Sequence, residues 1–134
     1  MNQKIRVLFD TNILVYAHDE SATYHTDSAE LLKLAIENQI QGILAEQNII
    51  ELYRILTNSV AMKGTPLTPL QTNNLINSIY LNGNFEILYP TKLTVEKVLE
   101  LAVNNNVTSA KIFDIRLVAL MLILIAMPNI ISTK

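Results

Sequence analysis

The segment IRVLFDTNILVY, residues 5–16, sets the architecture to be expected of the whole chain. Ile5 to Phe9 is a short apolar run and reads as a buried strand. Asp10, Thr11 and Asn12 break it, and Thr11 or Asn12 can cap a helix that opens on the apolar residues following them. A strand that turns at once into a helix is the opening of an α/β fold. It leaves Asp10 on the strand-to-helix turn, at the carboxyl edge of the sheet, where such folds keep their ligands.

Downstream the same rhythm continues. Leu31, Leu32, Ala35 and Ile36 are spaced for a helix, Gly42 to Ala45 for a short strand. Between Asn48 and Val60 the apolar residues Ile49, Ile50, Tyr53, Leu56 and Val60 fit one helical face, with Gln47, Glu51, Arg54 and Asn58 opposite. Thr68-Pro69-Leu70-Gln71 is a capping box with proline at the first helical position. Asn82-Gly83-Asn84 ends that helix, Phe85 to Tyr89 is a strand closed by Pro90, and Leu93 to Val103 is helical until three asparagines stop it. Ser109 can cap a last helix, and Ile130 with Ile131 suit a final strand. The order predicts a three-layer α/β/α sandwich with a parallel central sheet. No repeat, linker or low-complexity tract interrupts it, so a single domain over residues 1–134 is expected.

The last helix is the segment that could suggest a membrane. Ile112 to Met127 holds sixteen residues, of which only Asp114 and Arg116 are charged. As a helix it would span about 24 Å, short of the roughly 20 apolar residues a bilayer crossing needs. It carries charge at one end and stops at Pro128, so it is expected to be buried on most sides within a soluble domain. The amino terminus lacks a signal-peptide cleavage pattern, and a cytoplasmic protein without a membrane anchor is expected. The absence of cysteine removes disulfides, thiolate metal sites and thiol nucleophiles. A net charge of −2 means that a nucleic acid would need a local basic patch or a bound cation.

Acids fall in telling places. Asp10 follows the first strand, Glu51 lies early in the helix after the second strand, and Asp114 is the one carboxylate on the apolar last helix. Singly, Asp10 is a helix cap, Glu51 part of a solvated face, and Asp114 a charge suited to a helix amino end. Together they sit where an α/β sheet keeps its site. Two carboxylates about 4 Å apart repel by roughly 4 kcal/mol at an effective dielectric near 20. Such a cluster calls for a raised pKa or a cation, and hard oxygen donors favour Mg²⁺ or Mn²⁺ over Zn²⁺. His18 and His25 flank Asp19 and Glu20 and read as surface loop residues, while most of the five tyrosines read as packing residues. No glycine-rich nucleotide loop is present.

The segments VLFDTNILVYAHD (7–19), EQNIIELYRILT (46–57) and KIFDIRLVAL (111–120), in this order, resemble a PIN domain, specifically the VapC-type toxin ribonucleases. The likeness extends over essentially the whole chain. It implies a Mg²⁺- or Mn²⁺-dependent endoribonuclease acting on RNA, paired with a cognate antitoxin and often a homodimer. Asp10, Glu51 and Asp114 map to the family's acids and Asn12 to the asparagine of its D-T-N motif, with Thr11 beside it. Ser132 or Thr133 falls at the family's hydroxyl position near the last strand. Arg54 and Lys111 are the basic residues expected to meet substrate phosphate, whereas Arg116 is expected to pair with an acid. Family members usually continue into an N-x-x-D-F-like segment with a fourth acid, and Lys134 is the last residue here, which leaves three acids that can still hold one cation. That departure motivates an alternative, a catalytically silent PIN-like module that docks to an antitoxin or to RNA. FDTN also resembles the D-x-D-x-T opening of haloacid dehalogenase-type phosphatases, but Asn12 replaces the second aspartate and no downstream lysine motif follows.

Overall fold

The computed structural model describes residues 4–126, with side chains through Leu124. Among these residues, three strands are interspersed with six α-helices: β1 (Arg6–Leu8), α1 (Thr11–His18), α2 (His25–Ile36), β2 (Gln41–Ala45), α3 (Glu46–Leu56), α4 (Pro69–Ile76), β3 (Glu86–Leu88), α5 (Lys92–Asn104) and α6 (Ile112–Ala126). The strands form a parallel sheet in the order β1-β2-β3, the α/β architecture expected. Arg6, Val7 and Leu8 pair with Gln41, Gly42 and Ile43. The final strand expected at Ile130 and Ile131 lies outside the described residues. The chain divides into two compact units between Ile87 and Leu88.

In the first unit, local chemistry explains most element ends. Thr68 and Gln71 form the expected capping box: the Thr68 hydroxyl accepts from the Gln71 N–H at 3.1 Å, and the Gln71 side chain accepts from the Thr68 N–H at 2.9 Å. Helix α2 stops because Asn38 adopts φ of 62°, and the Gln39 N–H then closes back on the Leu34 carbonyl at 2.8 Å. Helix α4 runs on into a π-helical turn, Asn77–Leu81. It ends at Gly83, where a Cβ would lie 2.2 Å from the Ile79 carbonyl oxygen. Gly42 meets a similar constraint, because a Cβ there would sit 2.5 Å from the Phe85 ring. Phe85 can thus lie against β2, and its ring meets Phe9 edge-on at 5.4 Å and Tyr80 at 5.1 Å.

Two sequence expectations shift here. Strand β1 begins at Arg6, and Ile5 is exposed; β1 ends the strand order among the described residues, so only Phe9, beyond its carboxyl end, is deeply buried. Arg6 instead reaches Glu86 at 3.4 Å. The buried face of α3 is Asn48, Ile49, Leu52 and Leu56, whereas Ile50, Tyr53 and Val60 are exposed and the helix ends at Leu56. Doublets such as Ile49-Ile50 and Leu52-Tyr53 allow two helical phases, and the one that turns Leu52 inward is adopted.

In the second unit, Thr91 caps α5 by accepting from the Thr94 N–H at 3.4 Å. The helix ends as α2 does, with Asn106 at φ 53° and the Val107 N–H bound to the Ala102 carbonyl at 2.9 Å. Ser109 does not act as the expected simple cap. It opens a 3-10 turn, Ser109–Lys111, with φ of 57°, and α6 follows from Ile112. Nor is α6 buried on most sides: Ala119, Leu120 and Leu124 are buried, but Phe113, Val118 and Leu122 are exposed. Its mean hydropathy is high all round, so the sequence could not indicate which face would be covered. No helix among the described residues is long and apolar enough to cross a membrane.

Candidate active site

Strands β1 and β2 are parallel neighbours in register, so the turns that leave their carboxyl ends lie side by side. The Phe9 N–H continues the ladder by donating to the Ile43 carbonyl at 2.8 Å. One residue on, the chain turns into α1, and β2 passes directly into α3 after Ala45.

Asp10, rather than Thr11 or Asn12, is the cap of α1. Its backbone is extended, and its Oδ1 accepts from the Ile13 N–H at 2.9 Å. The cap shifts by one residue because the carboxylate reaches the N–H three residues on, which frees the Thr11 hydroxyl for another contact. Thr11 Oγ donates to Glu51 Oε1 at 2.9 Å, across forty positions of sequence. The same oxygen accepts from Asn48 Nδ2 at 3.0 Å, and Asn48 Oδ1 accepts from the Ala45 N–H at 2.9 Å. Glu51 is half-buried and Asp10 exposed. Each carboxylate engages one oxygen with a protein donor; among the described residues its second oxygen has no hydrogen bond.

Asn12 is exposed in the first turn of α1, and Arg54 is exposed one turn beyond Glu51 on α3. Arg54 makes no ion pair among the described residues. In the second unit, Lys111 and Asp114 are both exposed, at the end of the 3-10 turn and in the first turn of α6. Ser132 and Thr133 lie outside the described residues. The structure therefore joins Glu51 to the residue beside Asp10. Among the described residues, no group of three or more His, Asp or Glu side chains is close enough to hold a metal ion.

Sequence reasoning missed Asn48. Its signal was an amide three residues after the strand end, the N3 position of the following helix, where a polar side chain reaches back to the cap N–H. It also misplaced the histidines. His18 ends α1 half-buried, with Nε2 2.6 Å from the Tyr80 hydroxyl, and His25 begins α2 with Nδ1 2.8 Å from the Tyr16 carbonyl. Burial first, and the nearby His25 second, push His18 down to about 4. Burial pushes the Tyr80 hydroxyl up. Tyr80 is a packing residue as expected, but Tyr24, Tyr53 and Tyr89 are exposed.

A parallel α/β sheet with acids at its carboxyl edge has the plan of a ligand-binding or catalytic domain. A family model of the PIN domain matches residues 6–110, most of the chain, and the protein belongs to that family. The match covers Asp10 and Glu51 and ends just before Lys111 and Asp114. No curated protein matches the chain significantly. PIN domains are usually nucleases and generally use divalent metal ions. The donors at this edge fit such an ion: carboxylates with an oxygen to spare, and neither sulfur nor imidazole in the hydrogen-bonded set.

Proposed function

We propose that the protein is a Mg²⁺- or Mn²⁺-dependent endoribonuclease of the VapC type, the toxin of a toxin–antitoxin pair acting in the cytoplasm. The observation that carries this reading is the 2.9 Å hydrogen bond from Thr11 to Glu51, which sets a second carboxylate beside the turn bearing Asp10. On this reading Asp10 and Glu51 supply oxygen ligands, and Asp114 is assigned as the third on sequence grounds. When bound, the cation supplies an activated water and offsets charge on a phosphoryl oxygen. Asn12, with Ser132 or Thr133, orients water or ligands. Exposed Arg54, together with Lys111, meets the RNA phosphates, a role that a chain of net charge −2 must give to local cations.

A cognate antitoxin and a homodimer belong to the same reading. Val95, Leu99 and Val103 are exposed at four-residue spacing on α5, apolar surface of the kind a protein partner covers.

The test is cleavage of a structured RNA with Mn²⁺ by the parent and by Asp10→Asn. Asparagine is as good a helix cap as aspartate, so the fold is expected to persist. Cleavage should fall at least about 100-fold, the upper range seen when even an outer partner of a metal ligand is lost. Equal cleavage by both proteins would end the proposal.

A further inference from the structure

We infer that Asn48 is a positioning residue for Glu51 and acts through the Thr11 hydroxyl; its catalytic meaning rests on the reading of Glu51 as a metal ligand. Asn48 is 5% exposed, and both polar atoms of its amide are engaged. The Ala45 N–H can only donate, so the amide oxygen must face it, and the amide nitrogen must face Thr11. That nitrogen can only donate as well. Thr11 Oγ therefore accepts from Asn48 and turns its single hydrogen toward Glu51 Oε1. The direction of the whole chain, from the Ala45 backbone through Asn48 and Thr11 to the carboxylate, is fixed by its first donor.

The arrangement ties one rotamer of Glu51 to the junction of β2 and α3. The hydrogen bond on Oε1 is charge-assisted, stronger and shorter than a neutral one. It holds that oxygen and leaves Oε2 as the oxygen without a protein hydrogen bond among the described residues. A carboxylate fixed in this way does not have to be ordered when a ligand arrives. Asn48 touches neither substrate nor cation in this account; it sets the donor that sets the ligand.

The test is a double-mutant cycle on the full chain with Asn48→Ala and Thr11→Val, read in two ways. In metal-free protein, three-bond NMR couplings report the Glu51 χ1 populations. The parent is expected to hold one rotamer, and each single variant to average it. Mn²⁺ affinity by electron paramagnetic resonance is expected to fall about tenfold or more in each. In the Thr11→Val background, Asn48→Ala should change affinity by less than about twofold, because the route is already cut. Its effect on thermal stability, through the lost contact to Ala45, should persist in that background. Unchanged Glu51 couplings in folded Asn48→Ala would overturn the inference, as would the same affinity loss in both backgrounds. Should Asn48→Ala not fold, Asn48→Ser takes its place: its hydroxyl can still accept from Ala45 but is too short to reach Thr11. A parent without Mn²⁺ affinity would contradict the metal reading of the site, and the couplings alone would then decide the role of Asn48.

Discussion

Helices α3 and α6 each carry a candidate acid, and they hold it differently. Helix α3 buries Ile49, Leu52 and Leu56 on one side, which fixes its polar side and places Glu51 against Thr11. Helix α6 is apolar on nearly every side. It buries Ala119, Leu120 and Leu124, exposes Phe113, Val118 and Leu122, and presents Asp114 with no hydrogen bond among the described residues. An amphipathic helix orients its functional group through the same packing that stabilises it. A uniformly apolar helix lacks that signal, and its orientation must come from whatever covers it.

Core truncation tests this contrast most strongly. Leu52→Ala removes a side chain with no exposure and should lower unfolding free energy by about 2–5 kcal/mol in urea titrations. Leu122→Ala, at 39% exposure on α6, should stay within about 1 kcal/mol. Similar losses for the two would mean that α6 is as fully covered as its composition alone suggests.

Between these extremes lies a pH effect confined to the first unit. His18 has an ordinary value of 6.5 and is pushed down to about 4 in the fold, so the unfolded chain binds its proton more readily. Its contribution is intact above 6.5, is lost as pH falls through that window, and is gone near 4. The loss amounts to about 3 kcal/mol. Urea titrations at pH 7 and pH 4 should show this component in the parent and not in His18→Gln. An identical pH dependence for the two proteins would show that burial does not hold His18 neutral.

How much of this was legible in the sequence follows from the same contrast. The alternation of strands and helices, the box at Thr68 and Gln71, and the asparagine stop at the end of α5 were readable, because each depends on neighbours within a few residues. The positions of Asp10 just after β1 and of Glu51 within the helix that follows β2 were also readable, since each depends on the order of strand and helix. The phase of α3 was not, because its apolar doublets allow two faces and only packing selects Leu52 over Tyr53. The link through Asn48 and Thr11 was hidden for another reason. It joins residues 37 positions apart, and it arises only after Asp10 has taken the capping role from Thr11. His18 was misread because its partner Tyr80 lies 62 positions away.

The central claim is that Asp10 and Glu51, with Asp114, bind a divalent cation. Calorimetric titration with Mn²⁺ tests it most directly, on the parent, Asp10→Asn and Asp114→Ala. The account predicts millimolar or tighter binding by the parent that is lost in both variants. Undiminished binding in either variant, or none in the parent, would contradict it.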